Sequence, residues 1–319
     1  MIVSLTHEHD LDGLGSQAII QRYFSLRTEI SDKDIIYYFA DYTDFVEKIN
    51  LILGTKSIPS HLIISDIGFN DSFKEIFTLF KEVRKKGCQI CWFDHHIVDE
   101  SIKEELRSLI HLYINNPEKC AAEIVKDNYM KDDPTASKIA EFARDTDFRT
   151  KKYVLASDLQ SIISYNRGAQ NDQNKHKIVS ILSQGDFHNP WFNKQLTSLK
   201  KWLENESAFS LDHAVIVPIE LFGDLIISWA KIGGGKITRI LKQKYTNAKA
   251  FIGIDTRSKD IIIYSDFINC REFAREYGGG GHKERAGFKY PDIFENENTN
   301  VLTQSFIEDI KEKYLDLAS

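Results

Sequence analysis

Proline and cysteine are scarce in this 319-residue chain, and long apolar runs are absent. Six prolines leave little material for extended linkers, which favours a chain of ordered domains. No apolar run approaches the roughly 20 residues that span a bilayer. Met1 is followed at once by a strand-like pattern rather than by a basic segment, so neither a secretory signal nor a membrane partner is expected.

The four cysteines do not form a convincing redox or zinc pattern. Cys88 and Cys91 lie on a predicted buried strand, with neither a helix start nor a second pair beside them. Free cysteine is among the most buried residue types, so reduced core thiols are favoured over a functional pair. Reduced thiols are typical of a cytoplasmic protein, which is the location that we expect.

A basic excess is also lacking, because the formal net charge is −6. Proteins that grip long nucleic acid usually carry a net basic domain or stripe. Long duplex nucleic acid is therefore not an expected partner, whereas short oligonucleotides and small nucleotides remain compatible with the charge.

The order of strand and helix patterns predicts two α/β domains. Strands and helices alternate up to about residue 114, which is typical of a doubly wound parallel sheet. A mainly helical stretch follows, and strands return at residue 214. We expect a catalytic domain over residues 1–188, a linker helix over 189–211 and a smaller α/β substrate-binding domain over 212–319. Residues 72–86 are expected to form one helix, and the polar residues 165–177 a loop or helix break.

Three of the predicted strands end in carboxylates or imidazoles. Residues 2–5 lead into His-Glu-His-Asp-Leu-Asp-Gly at 7–13, residues 61–65 into Asp66, and residues 88–93 into Asp94-His95-His96. Parallel strands deliver their carboxyl ends to one edge of a sheet, so these groups should converge on one crevice. Converging acids repel one another unless cations lie between them, and the pattern therefore predicts metal.

Two pairs of acids separated by one residue strengthen this prediction. Asp10 and Asp12 precede Gly13 at a strand-to-helix turn, where each carboxylate can serve a different hard divalent ion. Asp145 and Asp147 end a helical run and offer one more carboxylate. A two-metal centre with carboxylate and imidazole ligands suits attack of an activated water on phosphorus.

Together these residues resemble the DHH phosphoesterase family, which is named for the triplet found here as Asp94-His95-His96. Gly279-Gly280-Gly281-His282, followed by Arg285-Ala286-Gly287, is similar to the glycine-histidine motif of the family's associated C-terminal domain. The resemblance covers nearly the whole chain and points to the nanoRNase and RecJ-like branch. It implies a two-manganese N-terminal domain and a smaller C-terminal domain, with a catalytic cleft between them.

The resemblance also implies roles for individual residues. The metal ligands would be Asp10, Asp12, Asp66, His95 and Asp145, with Asp66 as the bridge. Asp94 would orient the metal-bound imidazole of His95, and His96 would face the substrate phosphate, which makes Asp94, His95 and His96 the catalytic set. The far end of the substrate would be held by Gly279, Gly280, Gly281, His282 and Arg285. The cofactor would be two Mn²⁺ ions, with Mg²⁺ or Co²⁺ as substitutes.

The ligand set departs from the family pattern at its first histidine. In the family this histidine usually lies two residues before the first aspartate, and this chain has Glu8 at that position. His7, Glu8 and His9 therefore compete for this ligand position. His7 is favoured, although strand alternation would turn both histidines away from Asp10 unless a bulge intervenes. Asp147 is likewise an alternative to Asp145.

The C-terminal motif departs as well, because Arg285 replaces a usual alanine and an Arg-Ser element that often precedes the motif is missing. Arg285 is either a phosphate contact or a surface charge. Basic residues around the motif predict a phosphate-facing patch, with a solvated helix face as the alternative: Arg271, Arg275, Lys283 and Arg285. Gly233-Gly234-Gly235-Lys236 fits an anion site at a helix start and an ordinary turn equally well.

The favoured function is that of a manganese-dependent phosphodiesterase or exonuclease that trims short oligonucleotides to mononucleotides. The alternatives are hydrolysis of cyclic dinucleotides or their linear products, and phosphatase action on 3′-phosphoadenosine 5′-phosphate. A catalytically silent nucleotide-binding module is a further alternative, against which the complete set of acids argues. The protein is expected to be a monomer or a homodimer.

Overall fold

A computed structural model describes residues 1–29, 31, 34–55, 57–219, 221–296 and 301–318. They fall into two compact units, Met1–Thr197 and Ser198–Ser319. The division lies inside a long helix, Pro190–Asp212, which occupies the segment where the sequence predicts a linker helix.

The N-terminal unit is built on a five-stranded parallel sheet. The strands are β1 (Ile2–His7), β2 (Ile35–Ala40), β3 (His61–Ser65), β4 (Gln89–Asp94) and β5 (Leu112–Asn115). Their order is β2-β1-β3-β4-β5, and every neighbouring pair is parallel. This arrangement confirms the parallel sheet predicted from the alternating patterns.

Helices cover both faces of this sheet. They are α1 (Leu11–Ser25), α2 (Phe45–Leu53), α3 (Phe77–Lys85), α4 (Glu100–Leu109), α5 (Ala121–Tyr129), α6 (Pro134–Asp147), α7 (Val154–Tyr165) and α8 (Asp172–Ser183). Val3 and Leu5 of β1 pack with α2, α3 and α4 in one apolar core, whereas Ile2 packs with α1, α5 and α6 in the other. The unit therefore has three layers, as expected of a doubly wound fold.

Two predicted elements differ from the observed ones. A 3-10 turn, Asp71–Ile76, precedes α3, because the Asn70 side chain accepts a hydrogen bond from the backbone N–H of Ser72 and starts a tighter turn. Residues 165–177 are only partly loop: a short 3-10 turn leads into α8 at Asp172. Lys175 is fully buried in α8, so a segment that is polar in sequence is packed in the structure.

The C-terminal unit contains a six-stranded mixed sheet. Its strands are β6 (Val215–Ile219), β7 (Gly223–Ala230), β8 (Ala250–Asp255), β9 (Asp260–Ser265), β10 (Gly280–Gly281) and β11 (Arg285–Phe288), in the order β10-β11-β9-β8-β7-β6. Only β7 and β8 pair in parallel. After α9, the long helix Pro190–Asp212, come α10 (Gly234–Lys244), α11 (Cys270–Arg275) and α12 (Gln304–Ala318). The expectation of a second, smaller α/β unit is confirmed.

All four cysteines are free thiols, and three of them are buried. Within the described ranges, no helix is both long and apolar enough to cross a membrane.

Candidate metal centre

The carboxyl ends of three neighbouring strands bring the predicted site residues together. Thr6 of β1 is aligned with Ser65 of β3, which is aligned in turn with Phe93 of β4. The next residues along the three strands are His7, Asp66 and Asp94. The sheet itself therefore aligns the three segments that the sequence marks as metal-binding.

The turn from β1 to α1 requires glycine at position 13. A Cβ atom there would lie 2.1 Å from the backbone carbonyl oxygen of His7, far inside van der Waals contact. Asp10 caps α1, since its Oδ1 accepts a hydrogen bond of 3.0 Å from the Gly13 N–H. Its other oxygen, Oδ2, lies 3.1 Å from His7 Nδ1. The Asp-x-Asp-Gly sequence thus fixes one carboxylate at the helix start and turns it towards the strand end.

His7, Asp10 and Asp66 form the first group of candidate ligands. His7 Nδ1 lies 3.1 Å from Asp10 Oδ2 and 3.6 Å from Asp66 Oδ2. His7 Nδ1 and Asp66 Oδ2 are buried and, among the described residues, have no hydrogen-bond partner. Unpaired buried polar atoms are costly, and a divalent cation between them would satisfy both. This group therefore fits a metal ion.

Asp66 also has an unusual backbone. Its φ is 58°, in the left-handed region that non-glycine residues rarely adopt. Such conformations persist where the surroundings impose them, and they cluster at functional sites. Here the conformation lies at the end of β3, where the Asp66 side chain contacts two groups of ligands.

The second group joins two sets of candidate ligands that share His95: Asp12, His95 and Asp147, and Asp66, His95 and His96. His95 Nε2 lies 3.6 Å from Asp12 Oδ2 and 3.5 Å from Asp66 Oδ1, and His95 Nδ1 lies 3.6 Å from Asp147 Oδ2. Asp66 thus presents Oδ2 to the first group and Oδ1 to the second, which is the geometry expected of a carboxylate that bridges two ions. Asp12 is additionally held by the backbone N–H groups of Ala121 and Ala122, each at 2.7 Å, at the start of α5.

Asp145, predicted as a ligand, does not reach either group. Its carboxylate accepts hydrogen bonds from the Thr150 hydroxyl and from the backbone N–H groups of Lys152 at 2.7 Å and Tyr153 at 3.0 Å. Burial opposes ionisation, but these hydrogen bonds outweigh it and lower the pKa of Asp145. Asp145 and Asp147 lie about 200° apart around α6, so only one of them can face the sheet edge. Of the two carboxylates, Asp147 is therefore the one that belongs to the site, where it lies 3.6 Å from His95 Nδ1.

Of the three competing residues at the end of β1, His7 is the one that lies beside Asp10 and Asp66. β1 ends at His7, so strand alternation does not govern residues 8–10. Glu8 is occupied elsewhere: it forms a buried ion pair with Lys175 and accepts a hydrogen bond of 3.0 Å from the Gly168 N–H. His9 Nε2 lies 3.8 Å from Asp41 Oδ2.

Sequence reasoning missed Asp41 and Tyr42, which follow β2 at the same edge of the sheet. His7, His9 and Asp41 form a further group with ligand atoms within 4.8 Å of one another. A signal was present, because Asp41 directly follows an apolar strand, just as Asp66 does. Tyr42 gave none, since an isolated tyrosine after a strand is ordinary.

Asp94 supports His96 rather than His95, which corrects the predicted role. Asp94 Oδ1 lies 2.7 Å from His96 Nδ1, and Asp94 Oδ2 accepts a hydrogen bond of 3.2 Å from the His96 backbone N–H. Burial lowers the pKa of His96, but the hydrogen bond and charge of Asp94 outweigh it, so that the pKa is raised. The other ring nitrogen, Nε2, lies 3.3 Å from the Tyr42 hydroxyl. The His96 side chain remains 40% exposed, which leaves it accessible to a ligand.

The charges of the two groups are mutually repulsive without a cation. Burial raises the pKa of Asp12 to about 6, with the charge of Asp10 adding to the shift. Burial also raises the pKa of Asp66, and the charges of Asp12 and Asp10 add to it. Burial alone would lower the pKa of His7, but the hydrogen bonds and charges of Asp10 and Asp66 outweigh burial and raise this pKa to about 10. Carboxylate and imidazole donors of this kind suit divalent transition-metal ions.

The glycine-histidine motif belongs to the C-terminal unit, where it forms the β10–β11 hairpin. A Cβ on Gly279 would lie 2.2 Å from the Gly287 carbonyl oxygen, and Gly281 has a φ of 146°. Gly279 and Gly281 are therefore needed for the hairpin independently of any ligand, whereas a Cβ on Gly280 would meet open space. The His282 side chain is exposed, and its backbone N–H donates to the Arg285 carbonyl at 2.8 Å.

Arg285 connects this hairpin to the other glycine-rich segment of the same unit. A Cβ on Gly235 would lie 1.8 Å from Arg285 Nη2, so the guanidinium group rests directly on the start of α10. The two glycine-rich segments are far apart in the sequence, but they are neighbours in the structure. Arg271, Arg275 and Lys283 are exposed, as is Arg285.

A family model described as the DHH family, N-terminal domain, matches residues 1–145. No protein among the curated sequences matches the chain. The DHH domain of a member of a family of ribosomal proteins is similar in structure over 98% of this chain and 86% of its own, with 14% identity and a TM-score of 0.55. CDC45 from Entamoeba histolytica is similar over 99% of this chain and 95% of its own, with 8% identity and a TM-score of 0.54.

A pGpG-specific phosphodiesterase, PggH from Vibrio cholerae, is similar over 98% of this chain and 100% of its own, with 14% identity and a TM-score of 0.48. At these identities the likeness concerns the fold alone. The family match covers most of both ligand groups, including Asp10, Asp12, Asp66 and His95. Residues 1–145 therefore match the N-terminal domain of the DHH family.

Proposed function

We propose that the protein is a manganese-dependent phosphodiesterase that hydrolyses short oligonucleotides to mononucleotides. The observation that carries the proposal is the position of Asp66, whose Oδ1 lies 3.5 Å from His95 Nε2 and whose Oδ2 lies 3.6 Å from His7 Nδ1. One carboxylate facing two ligand groups supports a pair of cations rather than a single ion.

His7, Asp10 and Asp66 would hold one cation, and Asp12, Asp66 and His95, through its Nε2, would hold the other. Asp147 lies beside the opposite ring nitrogen of His95, where it would orient the imidazole. Two such ions supply an activated water and offset the charge that develops on a phosphate in hydrolysis. Every other contribution comes from the chain. Buried Asp12 is fixed by two backbone N–H groups of α5, so its carboxylate is oriented before a ligand arrives.

His96 is the residue that we assign to the substrate phosphate. Asp94 holds its Nδ1 and fixes the ring, and the Tyr42 hydroxyl lies beside its Nε2. The Nε2–H of a protonated imidazole would be shared between the Tyr42 hydroxyl oxygen, 3.3 Å away, and a non-bridging phosphate oxygen, to which it would donate a charge-assisted hydrogen bond. The raised pKa of His96, caused by Asp94 against the effect of burial, favours that protonated form.

The preference for short substrates rests on charge. The chain carries a net charge of −6, which disfavours binding to long nucleic acid. In the C-terminal unit, exposed basic side chains surround the glycine-histidine hairpin, and we propose that this patch binds the far end of the substrate: Arg271, Arg275, Lys283 and Arg285. His282, Gly279, Gly280 and Gly281 would contribute to the same contact.

The test is a comparison of turnover in the presence of Mn²⁺. The substrates are labelled dinucleotides, pentanucleotides, long RNA and DNA, cyclic dinucleotides and 3′-phosphoadenosine 5′-phosphate. We expect kcat/KM to be highest for the shortest linear oligonucleotides and His95→Ala to abolish their hydrolysis. A higher kcat/KM for a cyclic dinucleotide or for the bisphosphate would replace the proposed substrate. Turnover that persists in His95→Ala would contradict the mechanism.

A further inference from the structure

An open cavity of about 530 Å³ lies in the N-terminal unit beside the histidines of the triplet. Its polar lining consists of His95, His96 and the hydroxyl-bearing Tyr42. Its apolar lining includes three side chains: Phe69, Ile97 and Pro117. The volume is within the range of roughly 300 to 1,000 Å³ that is usual for small-molecule sites.

The apolar lining of the cavity comes from three separate strand ends. Phe69 follows β3, Ile97 follows β4 and Pro117 follows β5. A single exposed apolar side chain is ordinary on a protein surface. Here three apolar side chains line one cavity together with the histidine that we assign to the phosphate, a combination of apolar walls and a few polar groups that is usual in small-molecule sites. We call Phe69, Ile97 and Pro117 the apolar shelf.

Ile97 and Phe69 offer this surface in different ways. Ile97 directly follows the triplet and is 93% exposed, so almost none of its side chain is covered by the described chain. Phe69 is anchored from behind, with its ring centroid 6.0 Å from that of Phe73 and 5.7 Å from that of Phe77. The shelf therefore combines a fixed aromatic ring with a freely accessible aliphatic side chain.

We propose that the apolar shelf binds the base and sugar of the nucleotide whose phosphate lies at His96, an inference that rests on the proposed function. The occupant should be flat and uncharged, because the shelf carries no ionisable group, whereas the phosphate lies at His96. An inorganic polyphosphate would leave the shelf in water. The site therefore favours a nucleoside ester over a purely inorganic substrate.

The shelf also implies tolerance of base identity. Base edges are distinguished by hydrogen bonds, and the Tyr42 hydroxyl is already engaged with His96 and with the Gly68 N–H at 3.1 Å. Stacking and apolar contact, in contrast, are available to every base. Adenosine and guanosine nucleotides should thus bind with similar affinity.

The test compares nucleoside monophosphates with ribose 5-phosphate, which keeps the sugar and phosphate but lacks the base. Calorimetry in the presence of Mn²⁺ should give an affinity for adenosine and guanosine monophosphates that is higher by about 5- to 100-fold, as expected for one stacked base. Ile97→Ser and Phe69→Ala should remove most of this difference and leave the affinity for ribose 5-phosphate unchanged. Val154→Ser is the matched control, because Val154 is 80% exposed in the same unit.

Equal affinity for ribose 5-phosphate and the nucleotides in the wild-type protein would overturn the inference. The inference would also be overturned if Ile97→Ser lost affinity for the nucleotides and for ribose 5-phosphate by the same factor. Because Ile97 is exposed, unfolding of the variant would not explain such a loss. Failure of the proposed function has a different signature, namely base-dependent binding without hydrolysis of any oligonucleotide. Binding and turnover measured on the same preparations therefore separate the two.

Discussion

Replacing Lys175 by methionine should destabilise the N-terminal unit by about 3–5 kcal/mol, the usual cost of breaking a buried ion pair. Lys175 is fully buried, and its ammonium group contacts the carboxylate of Glu8 and lies 2.8 Å from Asp172 Oδ1. Glu8 is 6% exposed. Methionine fills similar space without the charge, so the cost comes mainly from the carboxylate left without its cation.

The sign of the pH dependence follows from Glu8. Burial opposes ionisation of Glu8, but His9, Lys175 and the Gly168 N–H outweigh it and lower its pKa. A carboxylate with a lowered pKa in the folded state contributes stability above its unfolded pKa, and this contribution is lost as the pH falls towards the folded pKa. The destabilisation by Lys175→Met should therefore be largest near neutral pH and shrink in acid.

The loss of stability can be measured by native-state hydrogen exchange of the β1 amides, because these amides report on the opening of the N-terminal unit alone. The double variant Glu8→Gln/Lys175→Met should recover most of the loss, because it leaves no buried charge unpaired; Asp172, the other partner of Lys175, is 46% exposed to water. Lys177→Met is the matched control on α8, since Lys177 is exposed and its ammonium group lies 5.2 Å from the Trp191 ring centroid, with no ion pair to any described residue. A loss below about 1 kcal/mol in Lys175→Met, the level of a surface pair, would refute the reasoning.

Three further predictions concern the metal centre. Asp147→Asn should weaken Mn²⁺ binding by about 10- to 100-fold in calorimetry. Asp145→Asn should leave the Mn²⁺ affinity unchanged and lower the free energy of unfolding by about 1–3 kcal/mol. The reverse pattern would restore Asp145 as the ligand. Gly13→Ala places a Cβ 2.1 Å from the His7 carbonyl oxygen. We therefore expect urea unfolding to show that the free energy of unfolding falls by about 1–3 kcal/mol. Wild-type stability of this variant would contradict the close approach. Because burial raises the pKa of Asp12 to about 6, Mn²⁺ must displace protons from the metal-free site. The affinity for Mn²⁺ should therefore fall as the pH falls through about 6. Calorimetry in buffers of different ionisation enthalpy should detect the released protons. An affinity that does not depend on pH would contradict the raised pKa of Asp12.

The fold was predictable because each local signal agreed with the global arrangement. Apolar runs ending in acids identified the strands, and helical spacing between them implied crossovers on both faces. The prediction was less successful where polar segments are packed inside the structure. Lys175 is an example: lysine is rarely buried, so a segment containing it reads as loop until its partner Glu8, far away in sequence, is known.

The candidate site was predictable in its members but not in their individual orientations. The sequence names His7, Glu8 and His9 together, and the end of β1 at His7 decides among them. The choice between Asp145 and Asp147 depends on the rotation of α6 relative to the sheet, which residue spacing alone does not give. Asp94 likewise has two histidines within reach, and only the side-chain geometry assigns it to His96.

The number of Mn²⁺ ions bound per chain tests the central claim most directly. Calorimetric titration of the metal-free protein should give two ions. Asp66→Asn should weaken both sites and Asp12→Asn one of them, because the Asp66 carboxylate faces both ligand groups. Binding of a single ion, or an Asp66→Asn variant that still binds one ion with wild-type affinity, would contradict a bridged two-metal centre.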